Sequence, residues 1–383
     1  MWTVLLVACG SPTEENEVAE PIALTWGSSN RSEAALVVPR GNGDDGYYVG
    51  LELAAPARTD GVLVSVDTTG DIAWQVQWGS LGDDEVDTIV VLDGQVAVGG
   101  RRLLNPTTDS DSLAVMTLIE TTGPSVVDDT WWMWNASEEN DRIAGIEALD
   151  AGFALAGGAG PQLLTAEIDE KAKTVDQLRF GPSRRTVEQA VSIGGGEFVL
   201  YGQATDPNDF NDPGQIWAGQ VGPRGDLQRE ESFGELYQVE DRATDLVVLD
   251  DGAWLIAGET GINNGDVALI AVEPSGDVRF EVAWDSGGQD LDPQLAMSPE
   301  GTVFGASVRN RDELIVFTVD LQTGDVTRFS ELVGVDRVRD LWVDEERICL
   351  AMALPGDVKG GYLASFACGG RDGEDGVVWP SLR

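Results

Sequence analysis

The chain has 383 residues, 42% of them apolar, and 67 acids against 24 bases give it a formal charge of −43. A field of that sign repels phosphate backbones, which argues against nucleic acid as a partner, and it disfavours adsorption of side chains to anionic lipid headgroups. Histidine is absent, which removes Ser-His-Asp and Cys-His catalysis, histidine-ligated zinc or copper, and histidine acid–base chemistry.

The acidity has two readings that can coexist. Dispersed carboxylates keep a surface hydrated in a saline medium, which is the simpler one; cation binding by some of them is the sharper one. Only three of the bases are lysines (Lys171, Lys173, Lys359). With 47 glycines, 16 scattered prolines and no long run of helical period, the composition predicts many short strands joined by turns. A β fold of this length can form one unit.

In chain order, Leu6-Val7-Ala8-Cys9 resembles a bacterial lipobox, in which the cysteine is lipidated and becomes the mature N-terminus. Residues 1–8 then act as a signal segment and residues 9–19, polar and acidic, as a tether. The segment departs from the usual pattern: no Lys or Arg precedes Cys9 and the apolar run is short. A chance match is the alternative. No other segment is long and apolar enough to span a bilayer. The expectation is a lipid-anchored protein of the bacterial cell envelope, on the outer membrane or cell surface.

Residues 20–383 read as one repeating domain. Pro21–Gly27 looks like a lone fourth strand. A hairpin with a tight Asp/Gly turn then recurs, most clearly at Asp87–Gly99, Gly145–Gly157 and Asp245–Gly258, with weaker copies at Glu33–Gly50, Gln189–Gly202, Gln294–Gly305 and Asp340–Ala351. A second hairpin follows in each unit, as at Gly61–Trp78 and Val267–Trp284. The fourth strand ends in an aromatic residue (Trp78, Trp134, Phe180, Phe233, Trp284, Phe329) at spacings of 45 to 56 residues, the length of a propeller blade. The last unit supplies three strands. Residues 20–27 are expected to provide its fourth, closing the ring and covering two open edges; Gly376–Trp379 is the competitor. The prediction is an all-β, seven-bladed β-propeller of four-stranded antiparallel blades, ring closed by an N-terminal strand.

Stretches such as Trp78–Ile89, followed by Asp93-Gly94, a short apolar strand and Gly99-Gly100, resemble the bacterial extracellular β-propeller repeats of the SBBP type. The resemblance covers nearly all of residues 20–370 and implies a propeller on a secreted or surface protein; it implies no shared catalytic residues.

Cys349 and Cys368 fall on neighbouring predicted strands, where they form either a disulfide in an oxidising envelope or two small buried thiols. The 1–2 and 3–4 turns are short. The 2–3 and 4–1 loops on the other face are longer, irregular and acidic, including Asn105–Ser112, Asp206–Asp212 and Gly261–Asp266, which marks that face as the binding surface. Glu33, Asp87, Glu188, Asp245 and Asp340 are expected to start innermost strands at the channel mouth, where clustered carboxylates could hold Ca²⁺; ordinary polar strand starts at a wet channel are the plainer reading. Asp206–Asp212 fails the EF-hand spacing, since Phe210 stands where an oxygen ligand belongs. The resulting expectation is a monomeric, non-catalytic binding or interaction module, calcium-stabilised, with a protein or glycan partner. A carboxylate-dependent glycan hydrolase and a scaffold subunit of an envelope complex are the alternatives.

Overall fold

A computed structural model describes residues 19–27, 32–41, 46–55, 58–79, 83–103, 112–134, 141–160, 162–180, 185–205, 214–234, 241–260, 265–356, 361–371 and 376–382. Cys9 and the Asp206–Asp212 segment lie outside them. Strand β1 (Ile22–Trp26) precedes the first complete blade, β2 (Glu33–Pro39), β3 (Tyr47–Ala55), β4 (Arg58–Val66) and β5 (Ile72–Trp78). Blade 2 is β6 (Asp83–Val91), β7 (Gln95–Leu103), β8 (Ser112–Glu120) and β9 (Ser125–Trp134). Blade 3 is β10 (Asp141–Leu149), β11 (Gly152–Ala159), β12 (Gln162–Asp169) and β13 (Thr174–Phe180). Blade 4 comprises β14 (Arg185–Gly194), β15 (Glu197–Ala204), β16 (Gln215–Val221) and β17 (Leu227–Phe233). Blade 5 comprises β18 (Asp241–Val248), β19 (Trp254–Thr260), β20 (Asp266–Val272) and β21 (Val278–Trp284). Blade 6 comprises β22 (Asp290–Met297), β23 (Val303–Arg309), β24 (Glu313–Val319) and β25 (Val326–Val333). Blade 7 has β26 (Arg337–Val343), β27 (Arg347–Pro355) and β28 (Tyr362–Arg371), and a two-residue strand, β29 (Val377–Val378), follows.

Within each blade the strands pair in sequence order, all antiparallel, and β1 pairs with β28 from Ile22↔Cys368 to Trp26↔Ala364. The N-terminal strand therefore completes the seventh blade and the architecture is a seven-bladed β-propeller. The competing C-terminal segment also reaches β28, but only at Gly370 and Arg371, where β29 extends the edge beyond β1.

The core lies between blades. Aliphatic and aromatic side chains of facing sheets interlock, as where Ile22, Leu24 and Trp26 meet Val49, Leu51 and Phe366 at the closing seam. Trp78 pairs with Gly61, where a Cβ would stand 2.4 Å from the indole; the glycine lets the ring lie on its neighbouring strand. Blade 6 departs from the aromatic pattern. Its outer strand runs four residues past Phe329, and Leu332 takes the position opposite Leu314 that Trp284 holds opposite Val267 in blade 5. Phe329 is displaced by a bulge and packs edge-on against Phe304 instead.

A second feature repeats in all seven blades. Every innermost strand carries a β-bulge near its start, at Ala35, Asp87, Ala144, Glu188, Thr244, Asp292-Pro293 and Arg339. In four blades a glycine (Gly100, Gly157, Gly202, Gly258) faces the residue before the bulge. A Cβ at these positions would lie 2.0 to 2.5 Å from a carbonyl oxygen of the bulged strand, so the small residues ending each second strand let the bulge tuck inward.

The bulge corrects the expected placement of the channel acids. Only Glu33 opens its strand; Asp87 and Glu188 occupy the bulge, and Asp245 and Asp340 follow it. The strands begin earlier because residues such as Asp83–Val86 go on pairing with Gly100–Leu103 beyond the irregularity. Asp245 and Asp340 share one register and one task. Asp340 accepts the Leu341 N–H (2.9 Å) and the Val37 N–H of the next blade (2.7 Å). Asp245 accepts the Leu246 N–H (2.7 Å) and the Leu295 N–H of the next blade (2.6 Å). Each carboxylate staples two innermost strands together. Burial is the main cause that pushes Asp340 up to about 8 and Asp245 up to about 6.

On the opposite face, short turns are capped by exposed aspartates. Asp169 accepts the N–H groups of Lys171 and Lys173, both at 2.9 Å, and Asp320 those of Gln322 (2.8 Å) and Thr323 (3.0 Å). These backbone bonds hold both carboxyls below their ordinary range, the usual Asx-turn chemistry.

Cys349 and Cys368 lie directly opposite on β27 and β28 and form a disulfide, with Cα atoms 4.1 Å apart. The bond closes a loop of 19 residues, a length for which the entropic stabilisation is about 3 kcal/mol. Reduction, or the C349A/C368A pair of substitutions, is expected to lower the melting temperature by about 5 °C, as read by calorimetry. A pH dependence follows from the buried acids. Between pH 4 and 8 the native state binds more protons at Asp340 than the unfolded chain does, so stability falls as pH rises through that window. The capping aspartates are ionised in both states above pH 5 and do not oppose the trend. Asp340→Asn should melt lower than the parent at pH 5, having lost one acceptor, and its further drop on going to pH 8 should be about 5 °C smaller.

Candidate functional site

The bulged ends of the innermost strands meet at the axis on the loop-rich face. Their polarity is paired, and the sequence reading missed its cationic half. Arg142 of β10 donates from Nε to Asp87 Oδ2 (3.1 Å) and from Nη2 to Oδ1 in blade 2, and from Nη1 to the Val187 carbonyl (3.3 Å) in blade 4. Glu188 stands 3.8 Å from the same guanidinium. Burial alone would lower the pKa of Arg142, but Asp87 and Glu188 hold it above its ordinary value. One arginine thus ties three consecutive blades.

Blade 3 has Gly145 where other blades carry a side chain after the bulge, and blade 4 uses the space. Gln189 reaches across to donate to the Asp87 carbonyl (3.2 Å), two blades away. Its amide oxygen accepts from Tyr201 Oη at 2.8 Å, and the Tyr201 hydroxyl also lies 2.9 Å from Asp245 Oδ1. Asp87, Gln189, Tyr201 and Asp245 therefore form one chain of polar contacts from blade 2 to blade 5.

Further round, Arg242 of β18 bonds Asp292 (2.9 Å) in blade 6 and Glu259 (3.3 Å) in its own blade, and Glu259 accepts the Asp292 N–H at 2.6 Å. In blade 2, Arg101 grips Glu85 through Nε (2.7 Å) and Nη2 (3.0 Å). Glu52 on β3 accepts the Val86 N–H of the next blade (3.0 Å), and its pKa is pushed up to about 8, first by burial and then by Glu85. Glu33 faces Arg337 and Arg339 at 3.6 and 3.7 Å.

The five acids singled out from sequence therefore do not form one ligand set. Glu33, Asp87 and Glu188 face arginines; Asp245 and Asp340 are turned into the blade seams. The guanidiniums were legible in part: Asp141-Arg142, Asp241-Arg242 and Asp336-Arg337 recur just before the bulge.

Among the described residues, one group of acids could hold a metal ion. Asp266 at the start of β20, Asp285 just after β21 and Asp290 at the start of β22 offer carboxylate oxygens all within 4.8 Å of one another. Asp290 is buried, accepts the Ser286 N–H (3.0 Å) and hydroxyl, and anchors the connection through its own N–H to the Gly265 carbonyl (2.7 Å). Asp285 accepts the Gly287 N–H at 2.6 Å. Burial and the mutual repulsion of the three carboxylates raise the pKa of both Asp266 and Asp290. Two arginines stand beside the triad without bonding its carboxylates: Arg309 and Arg328 both donate to the Ser286 carbonyl, and the Arg309 charge is felt by Asp290. The triad lies at the seam of blades 5 and 6 on the loop-rich face. Hard oxygen donors in this number suit a divalent cation. Its members come from two strands of neighbouring blades and the connection between blades 5 and 6, so no local motif announces them.

No protein family matches the sequence, and no curated protein matches it. Solved structures do. The WD40 β-propeller domain of Doa1 superposes with a TM-score of 0.53 at 12% identity, covering 91% of this chain and 96% of that one. A candidate 6-phosphogluconolactonase from Bacteroides uniformis ATCC 8492 gives 0.53 at 12% identity over 78% of this chain and 84% of its own. Another, from Bacteroides fragilis NCTC 9343, gives 0.50 at 13% identity over 82% and 97%. At such identities the likeness establishes the β-propeller fold and nothing finer.

Proposed function

We propose that the chain is a non-catalytic binding or interaction module, displayed on the bacterial cell envelope by a lipid on Cys9 and stabilised by calcium. The observation that carries the non-catalytic reading is the occupation of the buried axial carboxylates. Asp245, Asp340 and Glu52, whose raised pKa values would suit proton transfer, are each bonded to a backbone N–H of the neighbouring blade. Asp87 is held by Arg142 in the same way. A carboxyl fixed across a seam serves assembly of the ring. The propeller then offers a stiff platform whose loop-rich face carries the variable, charged surface, the usual division between scaffold and recognition. A protein or a glycan of the envelope is the expected partner, and a monomer the expected state.

Calcium is assigned to Asp266, Asp285 and Asp290. A ligand that binds only the native state stabilises it by about 2.7 kcal/mol at a hundredfold excess over its Kd. Millimolar Ca²⁺ should raise the melting temperature of the full chain by several degrees over EDTA, and Mg²⁺ at matched ionic strength by much less. Asp285→Asn should abolish the calcium-specific part. Equal small shifts with both ions would instead be charge screening and would sink the assignment. For the anchor, growth with an alkyne fatty-acid analogue should label the parent and leave Cys9→Ala unlabelled and released from the membrane fraction. Label retained in the variant would refute lipidation at Cys9.

A further inference from the structure

The arginines at the axis are not all held alike. Arg101, Arg142 and Arg242 make hydrogen bonds of 2.7, 3.1 and 2.9 Å to carboxylates. At the seam of blades 7 and 1 the pairing is looser. Arg337 Nη1 stands 3.6 Å and Arg339 Nε 3.7 Å from the two oxygens of one carboxylate, Glu33. Arg337 Nε and Arg311 Nη1 each stand 3.6 Å from Asp336 Oδ2. These separations exceed hydrogen-bond range. Three guanidiniums and two carboxylates thus share a corner in which the ionic contacts are attractive but unbonded.

Asp336, buried to 8% exposure, has no hydrogen-bond partner for its Oδ2 among the described residues, so it draws Arg311 and Arg337 by charge alone and leaves their N–H groups unspent on it. The side chains of Arg337 and Arg339 remain 31% and 39% exposed to the channel mouth. Arg337 is also flanked by the Tyr362 ring, 5.1 Å from its centroid.

The geometry points to a carboxylated sugar as the ligand of this corner, its carboxylate bridging Arg337 and Arg339 while a hydroxyl donates to Glu33. Guanidinium forks match the planar carboxylate and gain charge-assisted bonds that the present contacts lack. The Glu33 carboxylate beside them, which when ionised only accepts, calls for a ligand that also carries hydroxyls rather than a bare anion. A singly charged oxyanion fits a molecule of charge −43 better than a phosphate dianion, because the long-range field opposes each added negative charge. The assignment deepens the reading of the chain as a binding module and rests on it.

The test is titration calorimetry of the full chain with sodium glucuronate, acetate, glucose and inorganic phosphate at one ionic strength. Glucuronate should bind saturably, at least tenfold tighter than acetate, with glucose silent. Arg339→Ala and Arg337→Ala should each weaken glucuronate about tenfold, an effect of the size expected for one charge-assisted contact. Glu33→Gln, which removes the charge that repels the sugar's carboxylate while its amide oxygen can still accept the hydroxyl, should tighten binding severalfold. Arg279→Ala should change nothing, since Arg279 is bound to Glu273 (2.7 Å) and Asp251 (2.7 Å) at the short turns of the other face. Unchanged affinity in both Arg337→Ala and Arg339→Ala, or phosphate binding tighter than glucuronate, would overturn the assignment. Glu33→Gln keeps the test decisive should the arginine variants melt early. Incubation with a disaccharide ending in glucuronate, followed by NMR, separates the two levels. Saturable binding of an intact disaccharide supports both readings; cleavage would keep the sugar site and overturn the non-catalytic module; no binding would overturn the sugar site alone.

Discussion

A propeller ring is as strong as the seam where chain ends meet, and here that seam is made by five residues. Ile22 to Trp26 arrive from the N-terminal side and pair with β28, so the blade that closes the ring takes strands from both ends of the sequence. Without β1 the seventh sheet would expose a row of unpaired amides and carbonyls, and the apolar side chains shared with blade 1 would lose their cover. The Cys349–Cys368 bond sits in that same blade, joining β27 to the strand that receives β1. The covalent link and the non-local strand reinforce one structural decision: loop closure across the whole chain is entropically the costliest contact to make, and it is made on the sheet that carries the disulfide.

Charge is distributed according to what each face must do. On the plain face, aspartates such as Asp169 and Asp320 bind turn N–H groups and stay ionised well into acid. In the seams, Asp245 and Asp340 bind backbone N–H groups of two blades under heavy desolvation. At the axis, carboxylates meet guanidiniums. Part of the acidity that composition reads as a single property is therefore local turn and seam chemistry, in which a short carboxylate accepts two backbone N–H groups. The remainder, concentrated on loops, is what the solvent and any partner meet.

The architecture was legible because propeller repeats write themselves into sequence twice, in the spacing of the outer-strand aromatics and in the Asp/Gly turns. Even where the aromatic register failed, at Phe329, the turn pattern kept the blade in phase, and Leu332 supplied the missing volume. The axis was legible only in part. A bulge shifts pairing by one residue without leaving a compositional trace, so Asp87, Glu188 and Asp245 looked equivalent although one residue separates their registers. The glycines that admit the bulge, such as Gly157 and Gly202, were visible as small strand ends, but their purpose emerges only when the opposite carbonyl is placed. Asp266, Asp285 and Asp290 converge by topology alone.

The ring is uneven around its axis, and the unevenness has a direction. Blades 2 to 4 are bound by Arg142 and by Gln189 reaching over Gly145; blades 5 and 6 are bound by Arg242. The ionic bonds loosen at Arg337 and Arg339, on β26, in the blade that the N-terminal strand completes. A loosely paired corner on a weak sheet would simply relax into tighter ion pairs. This corner belongs to the sheet that holds the disulfide, the incoming β1 and the Asp340 staple to Val37. The wider spacing of guanidiniums and carboxylates at this corner is what the proposed sugar site rests on, since a ligand carboxylate gains there the direct bonds that the resident acids do not make.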